Sequence, residues 1–318
     1  MFGRDPRTGV SLAFVATRDG EVVAERYGVQ PANDFEAARS ISGESTLISW
    51  SMAKSMTHAA VGALVRDGLL DPDAPAAVPE WAGTDKEAIT LDHLLQMRSG
   101  LAFVEDYVDG ATSNCIEMLF SGNATSFGAY AASQPLVAEP GTVFNYSSGT
   151  TNIVTRIIGD VLSGGPGGSP DDRRAVVTQF LDDRIFTPSG MTSAIPKFDD
   201  AGDFVGSSFV YATARDFARF GELYLRDGVG VDGERVLPDG WVSSASERIS
   251  HDAGTDLGYG RHWWSWPAFP GSLSCHGYEG QYVLVLPDRD LVLTHLGKTD
   301  VGHQPSLRMR LARIADSL

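Results

Sequence analysis

The chain has 318 residues, 42% of them hydrophobic and 21% charged, a composition typical of globular enzymes with one large domain or two smaller ones. Acidic side chains outnumber basic ones by 41 to 25, and the formal net charge of −16 disfavours nucleic acid and anionic membrane surfaces as partners. Two cysteines, Cys115 and Cys275, cannot form a disulfide framework, and no zinc-binding motif occurs, so we expect no metal and no cofactor. The polar start and the lack of a long apolar run predict a cytoplasmic protein.

The first part of the chain predicts a hairpin followed by a buried helix. Residues 11–17 and 21–27 are rich in β-forming side chains and flank an Asp-Gly turn. Residues 51–66 are apolar on nearly all sides, which is typical of a helix inside a protein, and the helix should end at Asp67-Gly68.

The rest of the chain changes from helices to strands. Short helical segments, separated by Gly, Pro and Ser, are predicted at residues 91–97, 114–120, 150–162 and 172–185. A capping pattern at Thr213 and Asp216 begins another helix, and a final helix is expected at about 306–317. Strands are predicted at residues 258–266, 281–286 and 291–296.

This order of elements predicts an α+β fold in which one antiparallel sheet, flanked by helices, is built from both ends of the chain. We expect a sheet domain formed by residues 1–70 and 205–318. A mostly helical domain, residues 71–204, is inserted between its two parts.

Lys54 is the most informative residue, because it is one of only four lysines and lies in the most apolar predicted helix. A buried ammonium is costly unless it is paired or neutral, so either Lys54 extends to the surface or its pKa is lowered for proton transfer. Ser51 lies three positions earlier, on the same helix face, which is the arrangement of a nucleophile beside a base. No serine occurs in a Gly-x-Ser-x-Gly pattern, which argues against an α/β-hydrolase.

Two further segments carry candidate residues. Tyr146 follows a Pro-Gly turn just before a predicted helix, and beside Lys54 its hydroxyl would be favoured as phenolate and could move protons; alternatively it is a packed tyrosine. The segment Ser274-Cys-His-Gly-Tyr-Glu-Gly-Gln precedes a strand. A backbone N–H there, together with that of Ser51, could form an oxyanion hole, or the segment is only a β-bulge.

The three segments together resemble the serine β-lactamase and D-Ala-D-Ala peptidase superfamily. The motifs Ser51-Met-Ala-Lys54, Tyr146-Ser-Ser148 and His276-Gly277 occur in the order of that superfamily. The local sequences ISWSMAKS, LLQMRSGLAF and PGTVFNYSSGTTN are most similar to the 6-aminohexanoate-dimer (nylon oligomer) hydrolases and the related β-lactamase-fold esterases.

The resemblance implies a cofactor-free site at a domain junction. Ser51 would be the acylated nucleophile, and Lys54 with Tyr146 would be the proton-transfer pair. Gly277 would match the glycine of the superfamily's Lys-Thr-Gly strand, and the Tyr278 N–H would be the second oxyanion donor.

The resemblance also implies positions that contact the substrate. At two of them this sequence differs from the penicillin-binding members. Ser148 stands where those members have Asn, and either Cys275 or His276 stands where they have the lysine that binds a substrate carboxylate. Glu105-Asp-Tyr107 is similar to a substrate-contacting loop of the nylon-oligomer branch, although a solvated loop is the simpler interpretation.

We therefore expect a serine hydrolase that forms an acyl-enzyme on small esters or linear amides. The alternatives are a β-lactamase or D-amino-acid peptidase, which the missing lysine makes less favourable, and a non-catalytic sensor or binding protein of the same fold. Partners are small molecules rather than nucleic acid or membrane, and a homodimer is left open.

Overall fold

The fold was analysed in a computed structural model that describes residue 2, residues 9–107 and residues 112–318. The described strands are β1 Val10–Arg18, β2 Glu21–Tyr27, β3 Val29–Gln30, β4 Arg39–Ser40, β5 Leu47–Ile48, β6 Ile195–Pro196, β7 Val210–Ala212, β8 Ser250–Asp252, β9 Leu257–Tyr259, β10 Trp264–Ser265, β11 Leu273–Gly277, β12 Gln281–Leu286 and β13 Leu291–Lys298. The described α-helices are α1 Ala53–Arg66, α2 Leu91–Leu95, α3 Asn114–Phe120, α4 Phe127–Ala132, α5 Ser148–Leu162, α6 Pro170–Leu181, α7 Thr187–Ser189, α8 Ala214–Leu225, α9 Trp241–Ser246 and α10 Gln304–Ser317. The polar start noted above lies largely outside these residues.

One large antiparallel sheet joins the two ends of the chain. Its strand order is β2-β1-β13-β12-β11-β10-β9-β8, so the N-terminal hairpin pairs directly with the C-terminal strands. Asp19 and Gly20 both have positive φ, as the hairpin turn between β1 and β2 requires. The expected α+β architecture and the expected hairpin are confirmed, whereas the division into two domains stays a prediction.

Helices cover both faces of the sheet. Residues of α1, α5 and α8 share one hydrophobic core with side chains of β1 and β11–β13. Leu307 and Leu311 of α10 join a second core on the opposite face. Twelve of the fourteen residues of α1, from Ala53 to Leu64, are buried, which confirms the expectation of an internal helix.

The expected strand at residues 258–266 is wrong as a single element. The structure has two short strands there, β9 and β10, separated by a turn. His262, inside that turn, has φ 57°, a left-handed conformation that interrupts extended backbone. Its backbone N–H donates to the Leu95 carbonyl and its ring contacts Thr151, so contacts with α2 and α5 hold the turn in place.

Candidate active site

Ser51 lies in a short 3-10 turn, Trp50–Met52, that leads directly into α1. Trp50, the residue before it, has φ 44°, an unfavourable conformation for a bulky side chain. The turn and the first turn of α1 bring Lys54 Nζ to 3.0 Å from Ser51 Oγ. The residue pair that the sequence singled out is therefore in hydrogen-bond contact.

Lys54 does not extend to the surface, because only 1% of it is exposed. Its Nζ also lies 2.9 Å from Ser148 Oγ, at the start of α5, and 3.0 Å from the Ser207 carbonyl oxygen. Burial lowers the pKa of the Lys54 amine, and the nearby Glu105 opposes that shift. Lys54 thus combines two properties that a general base needs, contact with the candidate nucleophile Ser51 and a lowered pKa.

Tyr146 lies close to both Ser51 and Lys54. Lys54 Nζ is 4.8 Å from the centre of the Tyr146 ring, and the side chains of Ser51 and Trp264 interact with the Tyr146 hydroxyl. Burial and the charge of Glu105 raise the pKa of Tyr146 above that of a free phenol. The expectation of a phenolate is therefore wrong. Lys54 faces the Tyr146 ring and burial disfavours the phenolate anion. The protonated Tyr146 hydroxyl is instead positioned as a proton donor.

Glu105 joins the site through Ser148, although its loop had been expected to be solvated. Its carboxylate accepts hydrogen bonds from the Ser148 N–H at 2.8 Å and from the Ser148 hydroxyl at 2.5 Å. Tyr107 donates its hydroxyl to the same carboxylate. This carboxylate also lies at the N-terminus of α5, where the helix dipole favours negative charge.

Strand β11 approaches the Ser51 turn very closely at Gly277. A Cβ atom at Gly277 would lie 2.4 Å from the Ser49 carbonyl oxygen, so only glycine allows this approach. The next residue, Tyr278, places its ring 5.8 Å from the Trp50 ring. The strand predicted to supply an oxyanion donor is thus adjacent to the turn that holds Ser51.

Cys275 and His276 point to opposite faces of β11, as successive strand residues must. Cys275 is buried in the core that α1 shares with the sheet, and burial raises the pKa of its thiol to about 12. His276 stacks on Trp264 at 5.4 Å and accepts a hydrogen bond at Nε2 from Trp266 Nε1 at 2.9 Å. Burial lowers its pKa well below 6.5, so the His276 ring is uncharged at neutral pH.

A cavity of about 120 Å³ opens beside Ser51. Its walls are mostly apolar and include Tyr107, Tyr278 and residues of α3 such as Cys115, Ile116 and Phe120. Neither Cys275 nor His276 is among the described residues that line it. None of the described residues that line the cavity carries a charge, and of the predicted substrate contacts Ser148, Tyr107 and Cys275, Tyr107 is among those lining residues.

Comparison with known proteins gives the family. The β-lactamase family profile matches residues 5–316, nearly the whole chain. The chain belongs to the β-lactamase family.

Individual relatives in the β-lactamase family agree with this result. The chain is 30% identical over 303 residues to a 6-aminohexanoate-dimer hydrolase from Paenarthrobacter ureafaciens, covering 89% of this chain and 71% of the relative. It is 27% identical over 296 residues to penicillin-binding protein 4 of Amycolatopsis lactamdurans, covering 79% and 72%. A solved Bacillus anthracis structure, assigned as a 6-aminohexanoate-dimer hydrolase, superposes with a TM-score of 0.74 at 22% identity over 98% of this chain and 81% of that one.

As a member of the β-lactamase family, the chain is a serine hydrolase, and the non-catalytic alternative is set aside. Within the described residues, no helix is both long and apolar enough to cross a membrane. Across residues 9–107 and 112–318, no group of three or more His, Cys, Asp or Glu side chains could hold a metal ion.

Sequence reasoning missed three parts of this β-lactamase-family site. The Ser207 carbonyl and the Cys115 thiol carry no motif, and only the tertiary structure brings them to Lys54 and the cavity. Trp264 likewise carries no motif, yet its ring lies 5.3 Å from the Tyr146 ring and its side chain interacts with the Tyr146 hydroxyl. The sequence signal that could have indicated Trp264 was its aromatic side chain on a short strand, β10, beside the candidate strand β11.

Proposed function

We propose that this chain hydrolyses small esters or linear amides through an acyl-enzyme at Ser51. The observation that carries the proposal is the contact between Ser51 Oγ and Lys54 Nζ, at 3.0 Å, in a site where burial lowers the pKa of that lysine. A neutral amine in contact with a serine hydroxyl can take its proton as the oxygen attacks a carbonyl carbon.

The other residues fit the remaining steps of acyl transfer. The Ser51 and Tyr278 backbone N–H groups would hold the carbonyl oxygen as it gains negative charge. Tyr146, protonated and in contact with Ser51, would donate its proton to the leaving group, and Lys54 would then return a proton to Tyr146. The net result is transfer of the Ser51 proton to the leaving alcohol or amine. Water would release the acyl group by the reverse sequence.

The choice of substrate class rests on the cavity beside Ser51, whose described lining residues carry no charge. A cavity of about 120 Å³ with apolar walls suits a short apolar group better than a charged one. A β-lactam or a D-Ala-D-Ala terminus carries a carboxylate that needs a cationic partner. His276 is uncharged and bonded to Trp266, and Lys298 is paired with Glu279 at 3.3 Å, so neither favours such a substrate.

The test combines covalent labelling with a substrate panel. We expect a fluorophosphonate to add one equivalent of mass at Ser51, and p-nitrophenyl acetate or butyrate to be hydrolysed. Ser51→Ala should lose the label and lower kcat by several orders of magnitude with its melting temperature unchanged, because the covalent nucleophile is gone.

Ser55→Ala is the matched control, since Ser55 is another serine of the same helical segment but donates its hydroxyl to the His262 carbonyl away from Lys54. Full turnover by Ser51→Ala would refute the proposed function.

A further inference from the structure

We propose that Glu105 is a positioning residue which, acting through Ser148, directs the lone pair of neutral Lys54 at Ser51. The inference rests on the proposed function, because it assumes that Lys54 takes the Ser51 proton. It concerns a carboxylate that is 2.5 Å from Ser148 Oγ and is linked to the nucleophile through Ser148 and Lys54.

The hydrogen-bond directions follow from what each atom can do. Neutral Lys54 has two N–H groups and one lone pair, and it has three partners. The Ser207 carbonyl oxygen can only accept, so it takes one N–H. Ser148 donates its only hydroxyl proton to the Glu105 carboxylate, which can only accept, so Ser148 Oγ must take the second N–H. The lone pair is left facing Ser51, the one partner with a proton to give.

The same arrangement serves the state after proton transfer. The O–H bond of Ser51 breaks as its oxygen attacks, and the lone pair of Lys54 forms a third N–H bond. The resulting ammonium donates to Ser51, Ser148 and the Ser207 carbonyl, so all three N–H groups stay paired without any movement. A preorganised network of this kind costs no reorganisation at the moment of reaction.

The Glu105→Gln substitution should reverse the direction of this network. The Ser148 backbone N–H can only donate, so it would require the amide oxygen of the substituted side chain on its side. The amide NH₂ would then face Ser148 Oγ and donate to it. Ser148 would in turn donate its hydroxyl proton to the Lys54 lone pair, which would no longer face Ser51.

Among the described residues, the titratable groups that face Lys54 are Glu105, Cys115, Tyr146 and His262. Burial raises the pKa of Cys115 to about 12 and that of Tyr146 above the ordinary phenol value, and it lowers the pKa of His262 to about 3. Between about pH 5 and pH 9 these last three groups are uncharged, and the ascending limb of the activity profile reports Lys54 beside Glu105.

The experiment measures kcat/KM of the full chain against pH with p-nitrophenyl butyrate. For Glu105→Gln we expect the plateau of kcat/KM to fall about 100-fold, the lower end of what a general base contributes. The ascending limb should move to lower pH, because removing the carboxylate removes the charge that holds the Lys54 pKa up. Glu117→Gln removes one carboxylate that accepts from Tyr130 on the exposed side of α3, and it should leave both features unchanged.

The double variant Glu105→Gln/Ser148→Ala separates positioning from simple charge. If Glu105 acts through Ser148, the double variant should be little worse than Ser148→Ala alone. Losses of kcat/KM that add in the double variant would overturn the proposal. It would also be overturned if Glu105→Gln kept the wild-type plateau of kcat/KM, or lowered that plateau without moving the ascending limb of the pH profile.

If Glu105→Gln lowers the melting temperature, the Ser148→Ala variant tests the proposal instead. A Ser148→Ala variant as active as the wild type would overturn it. The proposed function fails separately, if Ser51→Ala keeps its turnover.

Discussion

At Lys54, burial and hydrogen bonding act in opposite directions on one amine. Burial removes the ammonium from water and lowers its pKa, while three oxygen partners and the Glu105 charge favour the ammonium. The balance suits a group that must hold a proton during part of a reaction and release it in another part. A lysine stabilised wholly in either form would be a poor general base.

The pairing of Lys54 with Tyr146 predicts non-additive losses. Lys54→Ala and Tyr146→Phe should each lower kcat by about 100-fold or more, since each removes one end of the same proton path. The double variant should be little worse than either single variant, because groups that act as one unit are not additive. Steady-state kinetics of the four proteins with one p-nitrophenyl ester checks this. Losses that multiply would mean that Tyr146 works independently of Lys54.

Among the elements, strand β11 makes a very close backbone contact with the Ser51 turn. Gly277→Ala would place a Cβ atom 2.4 Å from the Ser49 carbonyl oxygen, and the backbone must shift to admit it. We expect the unfolding free energy to fall by about 1–3 kcal/mol, as for other overpacked sites. We also expect kcat to fall at least about 10-fold, since the Tyr278 N–H moves with the strand.

Gly302→Ala, outside β11, is the matched control for the Gly277→Ala substitution. Its Cβ would meet no atom within 4 Å, and its φ is not in the left-handed region, so stability and kcat should both be unchanged. Thermal unfolding and ester kinetics on the same preparations test both variants. Wild-type kcat in a folded Gly277→Ala protein would exclude this strand from holding the oxyanion.

For the molecule as a whole, charge predicts substrate choice. The chain carries a formal net charge of −16, and the described residues that line its Ser51 cavity are uncharged. The Glu105 carboxylate lies close by, beside Ser148. We expect kcat/KM for nitrocefin to be at least about 100-fold below that for p-nitrophenyl butyrate, the cost of losing one ion pair in a cleft. Both substrates are measured below saturation at pH 7. Nitrocefin hydrolysed as fast as the ester would favour the β-lactamase alternative.

Much of the fold follows from local pattern in the sequence. The hairpin at Asp19-Gly20, the buried helix α1 and the capped helix α8 depend on turn residues, apolar periodicity and a Thr213 cap that accepts from the Asp216 N–H. The turn at His262 was missed because contacts from α2 and α5, distant in sequence, hold it. Tertiary contacts override local propensity at such places.

The candidate site divides in the same way. Ser51 and Lys54 could be identified because one helical segment carries both, and spacing alone brings them together. The contact between Glu105 and Ser148 could not be predicted, because Ser148 lies 43 positions later in the chain. Likewise, the orientation of Cys275 and His276 needed the register of β11 in the sheet.

The position of β1 has a consequence for the folding of the protein during its synthesis on the ribosome. β1 lies between β2 and β13, and Val15 pairs with Thr294, so the central sheet cannot close until the chain has been synthesised through β13. The nascent hairpin must therefore keep one edge and an apolar face unpaired while the intervening helices emerge. Ser51 from the early part and Tyr278 from the late part meet only after that closure, so hydrolytic activity should appear as the last event of folding.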